Sequence, residues 1–157
     1  MKKIVVMSDN HGLDAMLSYV KEQEPNADYY VHCGDSEASN KELLTGYICV
    51  KGNNDWYLDL PNQAQFQVED VPVLITHGHR FGYFNRELAM NDLLTRSQCR
   101  LLLCGHTHMP MYIKDGPYVY INPGSTTLPR GGSARSYAVV TIHEDEVVDC
   151  VFKEIEF

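Results

Sequence analysis

Short apolar runs in this chain are repeatedly followed by acidic, amide or histidine residues. The runs are rich in aliphatic and β-branched residues, which predicts buried strands. Carboxylates, amide oxygens and imidazoles are all ligands of divalent cations. Such ligands at the ends of successive strands predict one metal site. The clusters are Asp9-Asn10-His11, Gly34-Asp35, Gly52-Asn53-Asn54-Asp55, His77-Gly78-His79 and Gly105-His106-Thr107-His108.

The first half of the chain predicts a parallel sheet. Residues 3–8, 29–33 and 48–51 have the pattern of buried strands. An apolar stripe from Leu13 to Val20, which ends before Pro25, predicts a helix between the first two strands, and residues 39–44 form a second, polar helical segment. This β-α-β-α-β order implies parallel strands with right-handed crossovers.

The second half predicts a mixed or antiparallel sheet that packs on the first. A helix is expected over 85–96 and a tight turn at Glu144-Asp145. Pro72 suggests that its strand lies at an edge or starts a hairpin. The predicted strands are 65–69, 71–76, 101–104, 118–121, 137–142 and 147–153. We therefore expect an α/β fold in a single domain over residues 1–157, a two-sheet β-sandwich flanked by helices.

Charge and hydropathy exclude several classes of partner. The 157 residues carry a formal net charge of −8, so the chain lacks the basic balance of a duplex nucleic-acid binder. Bound cations could still attract a small anionic substrate. The apolar stretches are too short to cross a membrane, and Asp9 interrupts the N-terminal run too early for a signal peptide. We expect a cytoplasmic protein that has no membrane partner.

His32 and Cys33, at the end of the second predicted strand, lie next to the predicted site and are expected to be structural. The five cysteines are odd in number and lack paired spacing, which favours small core residues over a redox or metal motif. Cys33 is the one to examine, because it lies two residues before Asp35. His32 lies inside the second strand and is expected to form hydrogen bonds within the sheet.

Each cluster also has an ordinary structural explanation. Asp9 could cap a helix and His11 could lie in a solvated loop, whereas an extended chain would point both at one ion. Gly34-Asp35 and the Asn53-Asn54 pair could be plain turns. Five such clusters in order, each after a predicted strand, favour the metal site.

The residues resemble the calcineurin-like metallophosphoesterase superfamily, whose motifs read D-x-H, G-D, G-N-H-D/E, H and G-H-T-H. The resemblance spans residues 4–130, and the Asn122-Pro-Gly-Ser stretch before Arg130 is similar to the small bacterial and archaeal phosphodiesterase branch. It implies a four-layer αββα fold and two divalent cations, Mn²⁺ first and otherwise Fe, Zn²⁺, Ni²⁺ or Co²⁺. One cation would take Asp9, His11, Asp35 and His108, and the second Asp35, Asn53, His77 and His106, with Asp35 as the bridge.

The resemblance implies that a bridging hydroxide hydrolyses a small phosphodiester. One position departs from the family pattern, because Asn54 stands where the superfamily has a histidine that is thought to protonate the leaving group. An amide cannot act as a general acid, so we expect a preference for good leaving groups. His79 is a candidate substitute acid, and Arg130 would bind a phosphate.

Two alternatives stay open at the level of sequence. The branch includes a eukaryotic retromer subunit that serves mainly as a scaffold, and a regulatory module could bind a nucleotide without turnover. All seven ligands are present, which favours the enzyme. The loops 54–64, 79–86 and 109–117 are expected to line the substrate pocket. Their aromatics could stack on a base, pack internally or form the interface of a homo-oligomer.

Overall fold

In the computed structural model, which describes residues 1–156, ten strands form two five-stranded sheets. The strands are β1 (Lys2–Met7), β2 (Tyr29–His32), β3 (Ile48–Cys49), β4 (Gln63–Val68), β5 (Val71–Thr76), β6 (Leu101–Leu103), β7 (Pro110–Asp115), β8 (Tyr118–Pro123), β9 (Ser136–His143) and β10 (Glu146–Glu154). The helices are α1 (Ala15–Gln23), α2 (Arg86–Ser97) and a short 3₁₀ helix (Lys41–Leu44). No helix within the described residues is long and apolar enough to cross a membrane.

The first sheet has the order β10-β9-β1-β2-β3 and the second the order β4-β5-β6-β8-β7. Strands β1, β2 and β3 pair in parallel, as the β-α-β-α-β pattern predicts. β9 and β10 join this sheet in antiparallel pairs, so the expectation that they belong to the second sheet is wrong. The second sheet is mixed, because β5, β6 and β8 pair in parallel between two antiparallel strands.

The two sheets enclose the main core, and one helix covers each outer face. In β1, Ile4 and Val6 face the other sheet, whereas Val5 and Met7 pack with the residues that surround α1. Helix α2 packs on the outer face of the second sheet, in a cluster of buried residues that includes Leu74. Because both faces are covered, the central strands are continuously apolar, which is why they are readable from sequence. The predicted two-sheet sandwich flanked by helices is confirmed.

Three local expectations differ from the structure. Leu13 precedes α1 and is exposed, so it does not belong to the helical stripe. β5 lies between β4 and β6 and is not an edge strand, although it does form the predicted hairpin with β4. Pro72 is tolerated there because the β5–β6 ladder begins only at Val73. Residues 110–115, expected in a pocket loop, form the edge strand β7.

Candidate metal centre

The candidate site lies where the loops after β1, β2, β3, β5 and β6 meet at one end of the sandwich. Backbone hydrogen bonds join neighbouring loops within each sheet, from Asp9 N–H to the Gly34 carbonyl and from Gly105 N–H to the His77 carbonyl, both 3.0 Å. Between the sheets, the backbone N–H of His106 donates to Asp9 Oδ2 at 3.0 Å. The structure therefore brings the five sequence clusters together.

Most site residues adopt a left-handed backbone rather than an extended one. The φ angles are 57° at Asp9, 44° at His11, 56° at Asp35, 73° at His106 and 62° at His108. The chain at Asp9 and His11 is therefore not extended, although both side chains still reach one group of ligand atoms. A left-handed conformation is strained for a residue with a side chain, and such strain concentrates at functional sites. Here it turns successive side chains toward one centre.

Two motif glycines make room for the carboxylates. A Cβ on Gly52 would lie 2.1 Å from Asp35 Oδ1, and a Cβ on Gly105 would lie 2.6 Å from Asp9 Oδ2. No heavy atom fits at such distances, so each carboxylate lies directly against a neighbouring loop. This close approach gives a physical reason for glycine before Asn53 and before His106.

Asp9, His11 and His108 form the first group of ligand atoms. Asp9 Oδ1 lies 3.2 Å from His108 Nε2 and 3.6 Å from His11 Nε2. The two imidazole Nε2 atoms are 3.1 Å apart. All three ligand atoms lie within 4.8 Å of one another, as a shared cation requires.

Asp9, Asp35 and His77 form the second group. His77 Nε2 lies 3.2 Å from Asp35 Oδ2 and 3.8 Å from Asp9 Oδ1. Asp9 is common to both groups, whereas Asp35 Oδ2 lies 3.9 Å from His11 Nε2. The bridging role expected of Asp35 stays a prediction, and Asp9 is as central as Asp35 in this arrangement.

Hydrogen bonds fix the imidazoles with Nε2 toward the carboxylates. His77 Nδ1 lies 2.8 Å from the Cys33 carbonyl and His108 Nδ1 lies 2.7 Å from the Leu128 carbonyl. A carbonyl only accepts, so each Nδ1 carries the proton and each Nε2 is free to bind a metal. His11 Nδ1 is held in the same way by Glu37 Oε1 at 2.6 Å. Such partners orient metal-binding histidines.

The polar atoms of this centre fit a divalent cation. Asp9 Oδ1 and His77 Nε2 are buried and lack a hydrogen bond of good geometry within residues 1–156. Buried polar atoms without partners are costly and rare in folded proteins. Both atoms belong to the groups described above, and a cation would satisfy them together. Oxygen and nitrogen ligands without thiolates suit Mn²⁺, Fe or Zn²⁺.

The carboxylates and imidazoles of the site shift one another's pKa values. Burial raises the pKa of Asp9, but the contacts with His108 and His11 outweigh it and hold this pKa well below its usual value. Burial also raises the pKa of Asp35, and the contact with His77 more than offsets it. The contact with Asp9 raises the pKa of His11 to about 9. Burial lowers the pKa of His77, yet Asp35 and Asp9 bring it above its ordinary value. Two ionised carboxylates thus attract positive charge to this centre.

The other two expected ligands lie at the margin of the cluster. The His106 ring is 5.2 Å from the His77 ring, centroid to centroid, and is partly exposed. Burial lowers the pKa of His106, which keeps its ring neutral at neutral pH. Asn53 lies on the exposed turn that follows Gly52.

The three expected catalytic residues surround this cluster at different distances. Asn54 donates its backbone N–H to Asp35 Oδ1 at 2.9 Å and its side-chain amide to Asp35 Oδ2 at 3.0 Å. The His79 ring lies 5.6 Å from the His77 ring, and burial lowers the pKa of His79. Arg130 is exposed and is tied to the site by its backbone N–H, which donates to the His108 carbonyl at 3.1 Å.

Asp55 is a site residue whose role sequence reasoning missed. Its carboxylate is fully buried and accepts backbone N–H groups from Asp35 at 2.7 Å, Gly52 at 2.8 Å and Glu37 at 2.9 Å. Asp55 thereby fixes the backbone of the Asp35 loop. Its place at the end of the Gly52-Asn53-Asn54-Asp55 motif was a signal, but nothing in the sequence indicates that its acceptors serve another loop. Glu37 lies outside every motif.

Cys33 and His32 are structural residues, although the hydrogen bonds of His32 reach the loops after β1 and β2 rather than strands of the sheet. The Cys33 thiol is fully buried, and burial raises its pKa, so it stays protonated. His32 Nε2 donates to Asn10 Oδ1 at 2.7 Å, and its Nδ1 accepts from Gly34 N–H at 3.0 Å. Burial lowers the pKa of His32 to about 4, so this imidazole is neutral.

Comparison with known proteins places this site in a family. Residues 1–145 match the model of the calcineurin-like phosphoesterase superfamily domain. The chain is similar to YsnB of Bacillus subtilis strain 168, a probable metallophosphoesterase, with 32% identity over 144 residues that cover 90% of this chain and 85% of that protein. It is similar to the phosphodiesterase YfcE of Escherichia coli K12, with 30% identity over 168 residues that cover 89% and 88%.

Solved structures agree with this relationship. The crystal structure of a predicted phosphoesterase from Streptococcus pneumoniae TIGR4 matches with a TM-score of 0.83 and 31% identity, over 90% of this chain and 83% of that one. Vps29 of Entamoeba histolytica in complex with Zn²⁺ shares the fold, with a TM-score of 0.76 and 17% identity over 98% of each chain. The family model covers most of the sequence, and the chain belongs to the calcineurin-like phosphoesterase superfamily.

Proposed function

We propose that the protein is a metal-dependent phosphodiesterase that hydrolyses a small phosphodiester at a centre of two divalent cations. The observation that carries this proposal is the convergence of three imidazole Nε2 atoms on two buried carboxylates. The similarity to a phosphodiesterase supports the diester as the substrate class. Mn²⁺ is our first choice of metal, with Fe, Zn²⁺, Ni²⁺ and Co²⁺ as the alternatives.

The proposed ligand sets follow the two groups of converging atoms. One cation is bound by Asp9, His11 and His108, with Asp35 as its fourth ligand. The other is bound by Asp35 and His77, with His106 and Asn53 at its open side. Partial exposure of His106 and Asn53 supports this division, because the substrate must reach the cations from solvent.

When bound, two divalent cations bring positive charge to the phosphoryl oxygens and lower the pKa of a coordinated water toward neutral. The chain's own groups orient the reactants. Ser8 Oγ, at 2.5 Å, and the His106 backbone N–H, at 3.0 Å, hold Asp9 Oδ2, which leaves Oδ1 directed into the centre. His11, His77 and His108 are held by their Nδ1 partners, so no side chain has to reorganise during the reaction.

The remaining polar groups are proposed to act on the substrate. The Asn54 amide lies beside Asp35 Oδ2 and can donate a hydrogen bond to a phosphoryl oxygen, but it cannot give up a proton. His79 is the imidazole next to the centre that is assigned to neither cation, so we assign it to the leaving group. Arg130 would bind a phosphate oxygen from the exposed side. Because Asn54 cannot protonate the leaving group and His79 is only a substitute for that acid, diesters that release a stable anion are the preferred substrates.

The test is hydrolysis of bis(p-nitrophenyl) phosphate by protein that has been stripped with a chelator and reloaded with Mn²⁺. We expect the stripped protein to be inactive, the reloaded protein to recover, and Asp35→Asn to remain inactive. Asp59→Asn, which changes an exposed aspartate of the neighbouring loop, is the matched control and should behave as the unchanged protein. Absence of restored turnover with every one of the five metals would favour a scaffold function instead.

A further inference from the structure

A cleft of about 290 Å³ opens beside His79, on the side of the proposed centre that faces α2. Its walls come from the ends of β4 and β5, the loop after β5, and α2. Its lining includes His79, Arg80, Leu93 and Arg96. The expectation that the loops 54–64 and 79–86 line a pocket agrees with this cleft, whereas β7 takes no part in it.

The cleft begins at the proposed catalytic residues. The His79 ring, which forms part of its wall, lies 5.6 Å from the His77 ring and 6.3 Å from the His106 ring. His79 Nδ1 is a buried atom without a hydrogen-bond partner in residues 1–156. A diester whose phosphorus lies at the metal ligands can therefore extend one ester arm past His79 into this cleft.

The charges of the cleft are opposite in sign to those of the chain as a whole. The net charge of the protein is −8, yet two arginines and one aspartate line the cleft. Arg96 Nε donates to Asp92 Oδ2 at 2.9 Å, which uses one of the five N–H donors of the guanidinium. Within the described residues the Arg80 side chain has neither an ion pair nor a hydrogen bond. Both guanidinium groups can therefore bind an anion.

A third arginine anchors the loop that forms one wall of the cleft. Arg86 Nη1 donates to the Gly78 carbonyl at 3.2 Å and to the Phe81 carbonyl at 3.3 Å. Its guanidinium also stacks on the Phe81 ring, 5.3 Å from the centroid. The loop that carries His79 and Arg80 is thus anchored to the start of α2, so the cleft is a formed site.

We propose that this cleft is a subsite for an anionic group, a phosphate or a carboxylate, on the ester arm of the substrate that points away from the metals. The inference rests on the proposed phosphodiesterase function and narrows its substrates to diesters with a second negative charge. Arg80 and the free N–H groups of Arg96 bind that charge. The apolar floor at Leu93 contacts the linker between the two charged groups.

The test compares three p-nitrophenyl phosphodiesters that release the same leaving group. Their second arms end in a carboxylate, in a phosphate or in a trimethylammonium group. The variants are Arg80→Ala, Arg96→Ala and Lys3→Ala, the last removing an equal charge from the opposite end of β1. The binding of the carboxylate-bearing product monoester to each protein is measured by calorimetry as a readout independent of turnover.

We expect kcat/KM to favour the two anionic arms over the cationic arm by about tenfold in the unchanged protein. Arg80→Ala and Arg96→Ala should each lower kcat/KM for the diesters with anionic arms by about fivefold. Each should also weaken the binding of the product monoester by about fivefold. Turnover of the cationic diester should stay within about twofold, and Lys3→Ala should change nothing. The relative effects on the carboxylate and phosphate arms identify the preferred anion.

The subsite would be overturned if each arginine variant changed kcat/KM equally for all three diesters. It would also be overturned if neither variant changed kcat/KM for any of them. If bis(p-nitrophenyl) phosphate is hydrolysed and the arms are not distinguished, the subsite fails and the phosphodiesterase stands. If no diester is hydrolysed but Arg80→Ala still weakens the monoester, the subsite stands and the proposed function fails.

Discussion

Replacement of Asp55 by asparagine tests whether this carboxylate holds the backbone of the candidate centre in place. Within residues 1–156 the Asp55 carboxylate forms no hydrogen bond with a proposed ligand side chain, but it accepts the backbone N–H of Asp35. That residue and Glu37 both have left-handed φ angles, 56° and 45°, which the surrounding structure must maintain. Asparagine has the same shape and removes only the charge and one acceptor.

The magnitude follows from the three bonds. Oδ2 of Asp55 accepts two N–H groups and Oδ1 accepts one, from Glu37 at 2.9 Å. The amide of an asparagine will keep its oxygen on the pair, so its NH₂ group will face the Glu37 N–H. One charge-assisted bond is lost and the other two weaken, which amounts to about 3 kcal/mol. For a domain of this size such a loss lowers Tm by roughly 6–12 °C.

The assay is urea unfolding of the metal-free protein, followed by titration of the folded variant with Mn²⁺. Asp59→Asn removes the same charge from an exposed position in the neighbouring loop and should change the unfolding free energy by less than about 0.5 kcal/mol. Because Asp55 positions the Asp35 backbone, the variant should also bind Mn²⁺ about 10- to 100-fold more weakly. A loss of stability below about 1 kcal/mol would refute the reasoning about the buried bonds. Unchanged metal affinity would refute the positioning role.

Three further predictions can be checked with single substitutions. Asp35→Asn should weaken both cations together, and the loss of only one in a metal titration would contradict a bridge. Asn54→His should raise turnover of diesters with poor leaving groups by about tenfold relative to p-nitrophenyl diesters, and an unchanged ratio would count against the missing acid. His32 has a folded-state pKa of about 4 because of burial, against about 6.5 when unfolded, so its contribution is complete above pH 6.5 and is lost as pH falls toward 4. Between about pH 7.5 and pH 5, the unchanged protein should therefore lose about 2 kcal/mol more of its unfolding free energy in urea than His32→Gln does.

The strands that sequence predicts well are those whose two faces are both buried. β1 packs Ile4 against the opposite sheet and Val5 against the α1 layer, so nearly every position had to be apolar. β7 was missed because an edge strand with half-exposed residues has no such pattern. The sheet expected for β9 was also wrong, because an apolar run shows that a strand is buried but not which strand it pairs with.

The identities of the site residues were readable, but their geometry was not. Asp9 and His11 are left-handed rather than extended, and the sequence does not reveal this, because Asp and His adopt the left-handed region more often than most residues but still only occasionally. Glu37 could not be found, because its contact with His11 exists only after the two loops are adjacent. Long-range contacts of this kind depend on the register in which β1 and β2 pair, which the local sequence does not encode.

The origin of the ligands explains why the centre depends on the whole sandwich. Asp9, His11 and Asp35 follow strands of the first sheet, whereas His77 and His108 follow strands of the second. A cation bound among them joins the two sheets at one end, so its binding energy adds directly to folding stability, about 2.7 kcal/mol at a concentration of 100 Kd. The contact with Asp9 raises the pKa of His11, and Asp35 and Asp9 raise that of His77 against the effect of burial, so both imidazoles hold their protons more tightly. A cation that replaces those protons would contact carboxylates and imidazoles that the fold already holds together. Its binding energy would help to maintain the strained loops that carry them.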